Sequence, residues 1–504
     1  MHIIKHGETH FIRHNIILYM KKIFTTLLII ALGTITTFAK SYTGKLVVTV
    51  NGEILSDKTA SIDVDQQGDG TYNLSLKDFS INVGGQEINV GTIIIPASPY
   101  NVGDVRLLQA DREVPINNLG DVPINLLAQE TADKLHANIN INFAGMTINV
   151  VFGEGFQVPN GDFETFGGKN NEPNRWHSFQ SVVTAGGFTN MAKGQQTKES
   201  SDVRPGSTGK KSLLVYSRTI IFVTANGTVT TGRLRAGSTT ASDTKNNSFL
   251  DLSNKDKDVN GDPYYTELNA RPDSIALWVK FKQGTPSAKA PYATAKAVIT
   301  DGTYYQLPED KAYNNKMAEA INNEIADTKG EWKRLSIPFN YVNNNINPKA
   351  ILVTLSTNAV PGGGSGSDEL YVDDLELVYN FGVESIDIKG KAVANFNEDK
   401  TDYAFETSNI TADDITVKTK GQGVLVAKKI ETGKASILVA SNDLSKYRLY
   451  NINTTTGISN LPTVDANKQV EIYTLDGVRV NNTNRKGVYI IKDAQGKTRK
   501  VVKK

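Results

Sequence analysis

The sequence of 504 residues has no cysteine, which removes disulfides, thiolate catalysis and cysteine-ligated zinc or iron. Histidine is scarce as well. Of the six, His2, His6, His10 and His14 precede an apolar stretch that reads as an export signal, which leaves His136 and His177 to a processed chain. A three-histidine zinc site is then excluded, and a serine–histidine–acid triad has two candidate bases at most. An excess of either charge is also missing. The formal net charge is +2, but the first 39 residues hold Lys5, Arg13, Lys21 and Lys22 against Glu8 alone, so the remainder is close to neutral. Such a chain has no basic field to hold nucleic acid, and the basic end from Arg499 to Lys504 is too short to supply one.

What is present is strand-type alternation. Thr, Val, Ile, Tyr and Asn recur in short runs such as Leu46-Val-Val-Thr-Val50, broken every few positions by turn residues, and this pattern predicts an all-β protein. Hydrophobic content of 39% and charged content of 21% suit globular rather than disordered material. Single cores stop growing at about 250–300 residues, so this length predicts several domains.

Met20-Lys21-Lys22, the apolar stretch Ile23 to Ile35 and then Thr37-Phe38-Ala39 have the order of a secretory signal peptide, with cleavage expected after Ala39. Residues 1–19 read as an overlong start. The apolar run is too short to predict a membrane span, so no transmembrane segment is expected after signal cleavage. With no cysteine at the junction, a lipid anchor is excluded there.

Four pieces follow. The first, 42–152, opens with the strand and turn Tyr42-Thr-Gly-Lys-Leu-Val-Val-Thr-Val-Asn-Gly52, continues through Gly68 to Phe79, and ends in a hairpin from Ile139 to Phe152 turning at Ala144-Gly145. These segments resemble the calycin-like β-barrel family, which implies a small closed barrel that either holds an apolar ligand or is filled by its own side chains. The second piece, 156–380, begins Val158-Pro-Asn-Gly-Asp-Phe-Glu164, continues to Pro173-Asn-Arg-Trp-His177, and closes with Leu370-Tyr-Val-Asp-Asp-Leu-Glu-Leu-Val-Tyr379. This series resembles a family of domains assigned to carbohydrate metabolism, and more loosely the jelly-roll carbohydrate-binding modules. One amphipathic helix is expected inside it, from about Asp310 to Ala326. The third piece, 381–455, resembles small immunoglobulin- or cadherin-like sandwiches. The fourth, 457–504, with Val470-Glu-Ile-Tyr-Thr-Leu-Asp-Gly-Val-Arg-Val480 and Gly487-Val-Tyr-Ile-Ile-Lys492, resembles the C-terminal sorting domains read by type IX secretion. That resemblance implies export machinery of the outer membrane as a partner, and either secretion or attachment to the cell surface.

In jelly-roll binding modules, acids on the first and last strands often share calcium, which here implies Asp162 and Glu164 with Asp373 or Asp374. By simple alternation one of the last two must lie among apolar neighbours, which is costly unless metal or hydrogen bonds satisfy it; turn-capping acids are the plainer alternative. A second calcium candidate is the twelve-residue stretch Asp256 to Glu267, with Asp256, Asp258 and Asn260 at the first, third and fifth places, Gly261 sixth and Glu267 last. Pro263 and non-helical flanks depart from that pattern, and an acidic hairpin turn is the alternative.

Sugar recognition needs flat aromatic faces beside polar groups. All three tryptophans lie in the second piece. Trp278 and Trp332 sit in alternating runs and are expected in the core. Trp176, in a polar loop beside His177, is expected either as a platform or as packing, with Tyr264 and Tyr265 as weaker candidates. No signature of a nucleophile or of a catalytic carboxylate pair is recognisable. The expected function is glycan binding by a surface or secreted protein. The alternatives are a glycoside hydrolase or related enzyme, and a structural or adhesive envelope protein whose β domains act as spacers.

Overall fold

A computed structural model of the chain describes residues 39–83, 86–116, 120–285, 290–407, 409–455, 471–483, 485–492 and 498–503. The expected export signal and the onset of the fourth piece near Gly457 lie outside the described residues. The described chain is all-β, and its two helical segments are short 3-10 turns, Gly187–Ala192 and Ala412–Asp414. Among the described residues no helix is long and apolar enough to cross a membrane.

The chain divides into two compact units. The first holds residues up to Ser385 together with Val417–Lys428 and Leu438–Leu449. It begins with eight antiparallel strands: β1 (Lys40–Val50), β2 (Glu53–Gln66), β3 (Tyr72–Val83), β4 (Gln86–Val102), β5 (Val105–Ile116), β6 (Gly120–Glu130), β7 (Leu135–Phe143) and β8 (Met146–Phe152). Each pairs with the next, and β8 returns to β1 to close a barrel, with Leu46 opposite Phe152. Asn51 and Gly52, both at positive φ, make the first hairpin turn, and Ala144 and Gly145 make the last. Inward side chains, among them Tyr42, Leu46, Ile62, Leu74, Leu108, Leu126 and Phe152, form one contiguous buried cluster. Leu107 and Leu127 point the other way and are nevertheless fully buried, because Ala427, Leu438, Ala440 and Leu444 cover them.

The barrel is followed in this unit by a β-sandwich. One five-stranded sheet has the order Thr197–Ser200, Ser212–Tyr216, Glu369–Val378, Ser274–Lys282, Lys333–Pro338. A second has the order Thr228–Thr230, Ala350–Ser356, Ala293–Thr300, Lys316–Ile325, Asn340–Tyr341. Leu213, Val215, Leu277, Val279, Leu370 and Val372 from the first meet Ala295, Ala297, Ile299, Val353 and Leu355 from the second in a single core. A smaller sheet has the order Tyr305–Leu307, Asn246–Leu250, Arg233–Ala236, Val183–Thr184.

The opening and closing motifs of this piece are neighbours. Gln157 exchanges hydrogen bonds with the backbone of Leu377, Nε2 donating at 2.7 Å and Oε1 accepting at 2.8 Å. The Leu375 amide donates to the Gly161 carbonyl at 2.7 Å.

Two expectations are corrected here. The predicted helix over 310–326 is the strand Lys316–Ile325, in which Ala318 and Ala320 face Ile299 and Ala297 across the sheet. Second, the last long strand does not alternate evenly. A bulge opposite Ala276–Trp278, with Asp374 at φ 42°, shifts its parity, so that Leu370 and Val372 point inward before the bulge and Leu375 and Leu377 after it. Asp373 is nevertheless fully buried, and backbone amides satisfy its carboxylate.

The second unit comprises Ile386–Thr416, Lys429–Ile437 and Tyr450 onward. In it Asp402–Glu406 pairs in parallel with residues 451–455. Its C-terminal sheet has the order Arg479–Val480, Glu471–Thr474, Gly487–Lys492, Thr498–Lys503.

Candidate functional site

The second sheet of the sandwich turns its core-opposed face toward a groove. Along Ala293–Thr300, Ala295 and Ala297 point to the core while Thr294 and Lys296 point away from it; on the neighbouring strand Val353 and Leu355 point in while Thr354 and Ser356 point out. These outward side chains, with Thr228, Arg235, Asn247 and Ser248, line a cavity of about 560 Å³. That volume lies within the range of about 300–1,000 Å³ typical of small-molecule sites. The Ser248 and Thr354 hydroxyls are 2.8 Å apart.

Among the described residues, two groups beside the groove are incompletely paired. Asn247 is buried; its Nδ2 donates to the Thr244 carbonyl at 2.9 Å and to Gln306 Oε1 at 3.2 Å, which fixes the amide so that Oδ1 is left without a donor. Lys296 is half-buried with no carboxylate beside it, and burial alone pushes its ammonium below the ordinary lysine range. Arg235 lies over the Phe249 ring at 4.5 Å.

The rim is apolar and exposed. Phe222 is 95% exposed and Phe188 80%, with Ile221, Val223 and Met191 beside them on the same groove. Ile221 and Phe222 form the tip of a hairpin between Arg218–Ile220 and Val223–Ala225, and Ile221 takes positive φ there. Phe188 and Met191 sit on the 3-10 turn Gly187–Ala192, whose carbonyl end is held by the Arg218 guanidinium, donating to Met191 and Lys193 at 3.0 Å and also to Ala192. None of the lining residues is an aspartate, a glutamate or a histidine.

The residues singled out from sequence are placed elsewhere. Trp176 is not a platform: it is fully buried against Phe163, with Nε1 donating to the Pro159 carbonyl at 3.1 Å. Its loop is polar, but the tertiary core takes the indole. Tyr264 is also buried, between the His177 ring at 4.5 Å and the Arg233 guanidinium at 4.1 Å. Tyr265 is half-buried with Lys255 Nζ 5.7 Å over its ring. Trp278 and Trp332, expected in the core, instead lie half-buried on the outward face of the first sheet. Arg204 stands over one and Lys280 over the other.

The four acids proposed for calcium do not converge as ligands: among the described residues no three of them bring carboxylate oxygens within 4.8 Å of one another. Asp373 is buried, and its carboxylate accepts the Arg204 and Asp374 amides, each at 2.9 Å; loss of hydration nevertheless raises it to about 6. Asp374 pairs with the Arg204 guanidinium. Glu164 accepts the Lys210 and Lys211 amides at 2.8 Å. Burial, with Glu164 and Asp374 nearby, raises Asp162.

The stretch from Asp256 to Glu267 does not converge on one point. Asp256 pairs with Arg233 at 3.0 Å, Asn260 donates to Asn170 at 2.6 Å, and Glu267 pairs with Lys134 at 2.7 Å. Asp258 turns inward to join His177 and Glu172, and potential ligand atoms of these three lie within 4.8 Å of one another. Sequence reasoning had no signal for Glu172, nor for Phe188, Phe222, Asn247 or Lys296. Only the fold reveals that Ile221 and Phe222 form a hairpin tip.

No curated protein sequence matches the chain. Among solved structures, a provisionally assigned glycoside hydrolase from Bacteroides thetaiotaomicron is similar at 12% identity and a TM-score of 0.33, covering 69% of this chain and 99% of its own. A provisionally assigned outer membrane protein from Bacteroides fragilis is similar at 11% identity and a TM-score of 0.18, covering 63% and 96%. The M60 catalytic domain with two CBM51 domains from Clostridium perfringens is similar at 10% identity and a TM-score of 0.15, covering 92% and 45%. Scores this low do not establish a shared fold over the whole chain. Residues 38–154 match the model of the calycin-like β-barrel domain family, and the closed eight-stranded barrel from Lys40 to Phe152 is the architecture that this family name describes.

Proposed function

We propose that the chain is an exported glycan-binding protein of a Gram-negative cell surface, and that the groove between Phe188, Phe222 and Lys296 takes the ligand. One observation carries the reading: exposed apolar side chains converge on a concavity that is also lined by the Lys296 ammonium, which pairs with no carboxylate among the described residues. Exposed aromatics in such a cluster mark interaction surfaces more often than chance placement. A pyranose has an apolar C–H face suited to Phe188 or Phe222, and an edge of hydroxyls suited to Thr354 and Ser356. Lys296 and Arg235, with no acid to balance them, favour a glycan that bears carboxylate or sulfate groups.

Hydrolysis of a glycosidic bond calls for a pair of carboxyl groups about 5–10 Å apart, and the lining supplies neither member. Binding is therefore the reading for this groove. Export by a type IX route rests on the resemblance of residues 457–504 to sorting domains.

Binding to an array of neutral and acidic glycans tests the proposal. The expected result is retention on acidic members. Loss of one stacking contact, about 1 kcal/mol, should weaken binding of F222A or F188A about fivefold, and K296A should lose the preference for acidic over neutral members. Absence of binding to every glycan, or equal binding by the parent and the F188A/F222A/K296A variant, would overturn it.

A further inference from the structure

Glu172, His177 and Asp258 are all buried in the sandwich, away from the groove lining. We propose that they hold one divalent transition-metal ion of the zinc class, which ties the 167–178 segment to the 256–264 loop.

The reasoning starts from the tautomer of His177. Its Nε2 lies 3.1 Å from the Pro263 carbonyl oxygen, which can only accept, so Nε2 carries the proton. On a neutral ring Nδ1 is then a bare lone pair. The ring is fully buried, and among the described residues Nδ1 has no hydrogen-bond partner. Yet Nδ1 faces Asp258 Oδ2 across 3.9 Å, too far for a hydrogen bond, with Glu172 in the same cluster. Acceptors facing one another in a dry interior repel, and a cation between them reverses the sign of the interaction.

The spacing suits a metal. Ligand bonds of about 2.0–2.2 Å place ligand atoms about 3–4 Å apart, so the cluster needs little contraction. An imidazole nitrogen with two carboxylates suits zinc-class ions, whereas calcium takes oxygen ligands in greater number.

Each ligand is also braced from behind, as metal ligands are. The Pro263 carbonyl holds His177. Glu172 Oε1 accepts the Ser178 amide and hydroxyl at 2.5 Å and the Ser181 hydroxyl at 3.0 Å. Asp258 Oδ1 accepts the Asn260 amide at 2.9 Å and the Asp262 amide at 2.8 Å. Glu172 Oε2 and Asp258 Oδ2 are left with one side-chain amide contact each, from Asn170 at 2.6 Å and Asn260 at 3.2 Å. His177 itself is fixed by exchanging backbone hydrogen bonds with Thr230.

The test uses the full chain, stripped with EDTA and then equilibrated with zinc chloride alone. His2, His6, His10 and His14 can also take zinc, so the site is read as the difference between the parent and D258N, with E172Q as a second variant and far-UV circular dichroism as the check on folding. One more zinc per parent chain than per D258N chain is expected after gel filtration. Zinc should raise the melting temperature of the parent but not of either variant, with affinity at the site reduced about 100-fold or more. Equal zinc content in the parent and a folded D258N would overturn the proposal. So would a parent chain stabilised by calcium and indifferent to zinc.

Discussion

His136 shows how one buried side chain can set a pH limit. It lies on β7, stacks flat on Phe156 with ring centroids 3.8 Å apart, and donates from Nε2 to the Asp443 carbonyl at 3.3 Å. Burial removes the hydration that a charged imidazolium needs, which pushes its pKa down to about 4. The neutral form is therefore the one that the fold prefers. Its contribution is complete above pH 6.5 and is lost as pH falls through about 4, because the unfolded chain takes up the proton first. A depression of this size corresponds to about 3 kcal/mol. Urea midpoints should fall more steeply between pH 6.5 and 4 for the parent than for H136Q, which keeps a donor but does not titrate. Parallel profiles would remove His136 as the cause. At this scale the sequence was partly legible: scarcity of histidine drew attention to His136 and His177, but nothing local indicated that either would be buried. Trp176 misled for the same reason, since its polar neighbours in the chain are not its neighbours in space.

At the scale of elements, bulges decide what alternation can reveal. Along Lys316–Ile325 the pairing with Ala293–Thr300 shifts twice, so Met317 and Ile325 are buried out of phase with Ala318 and Ala320. Apolar residues then fall at 317, 318, 320, 321 and 325, which imitates a helix. The bulge at Asp373–Asp374 hides parity in the same way. Where strands run without bulges the reading succeeds, as in the hairpin of β7 and β8 turning at Ala144 and Gly145. The contact between opening and closing motifs is what the jelly-roll resemblance implies, and it depends on Gly161. A Cβ there would overlap the Leu375 carbonyl oxygen, a backbone atom that cannot swing aside. G161A should therefore cost roughly 3 kcal/mol by overpacking, whereas G168A, with open space around it, should be close to neutral. Equal denaturation midpoints for the two variants would show that this strand contact bears no strain.

On the scale of the whole molecule, the barrel is not finished by its own strands. Leu107 and Leu127 point out of it, and residues from 427, 438, 440 and 444, far along the chain, bury them completely. Tyr447 seals the same wall, its hydroxyl accepting from Gln109 at 3.1 Å and from Asn125 at 2.8 Å. Full burial of a leucine is worth about 1.5–3 kcal/mol, so two leucines and a half-buried rim form a patch that water would not tolerate uncovered. No local pattern discloses this, because an outward leucine in an eight-stranded barrel reads as an exception to alternation until its cover is found some 300 residues later in sequence. A chain ending at Tyr379 should then self-associate, giving larger particles by light scattering as concentration rises. A chain ending at Thr455 keeps the cover and should match the full-length protein in size. If both truncations behaved alike, the later strands would be appended to the barrel rather than part of its wall. Polar replacement separates the two causes: L107K/L127K in the shorter chain should restore solubility if the uncovered leucines drive association.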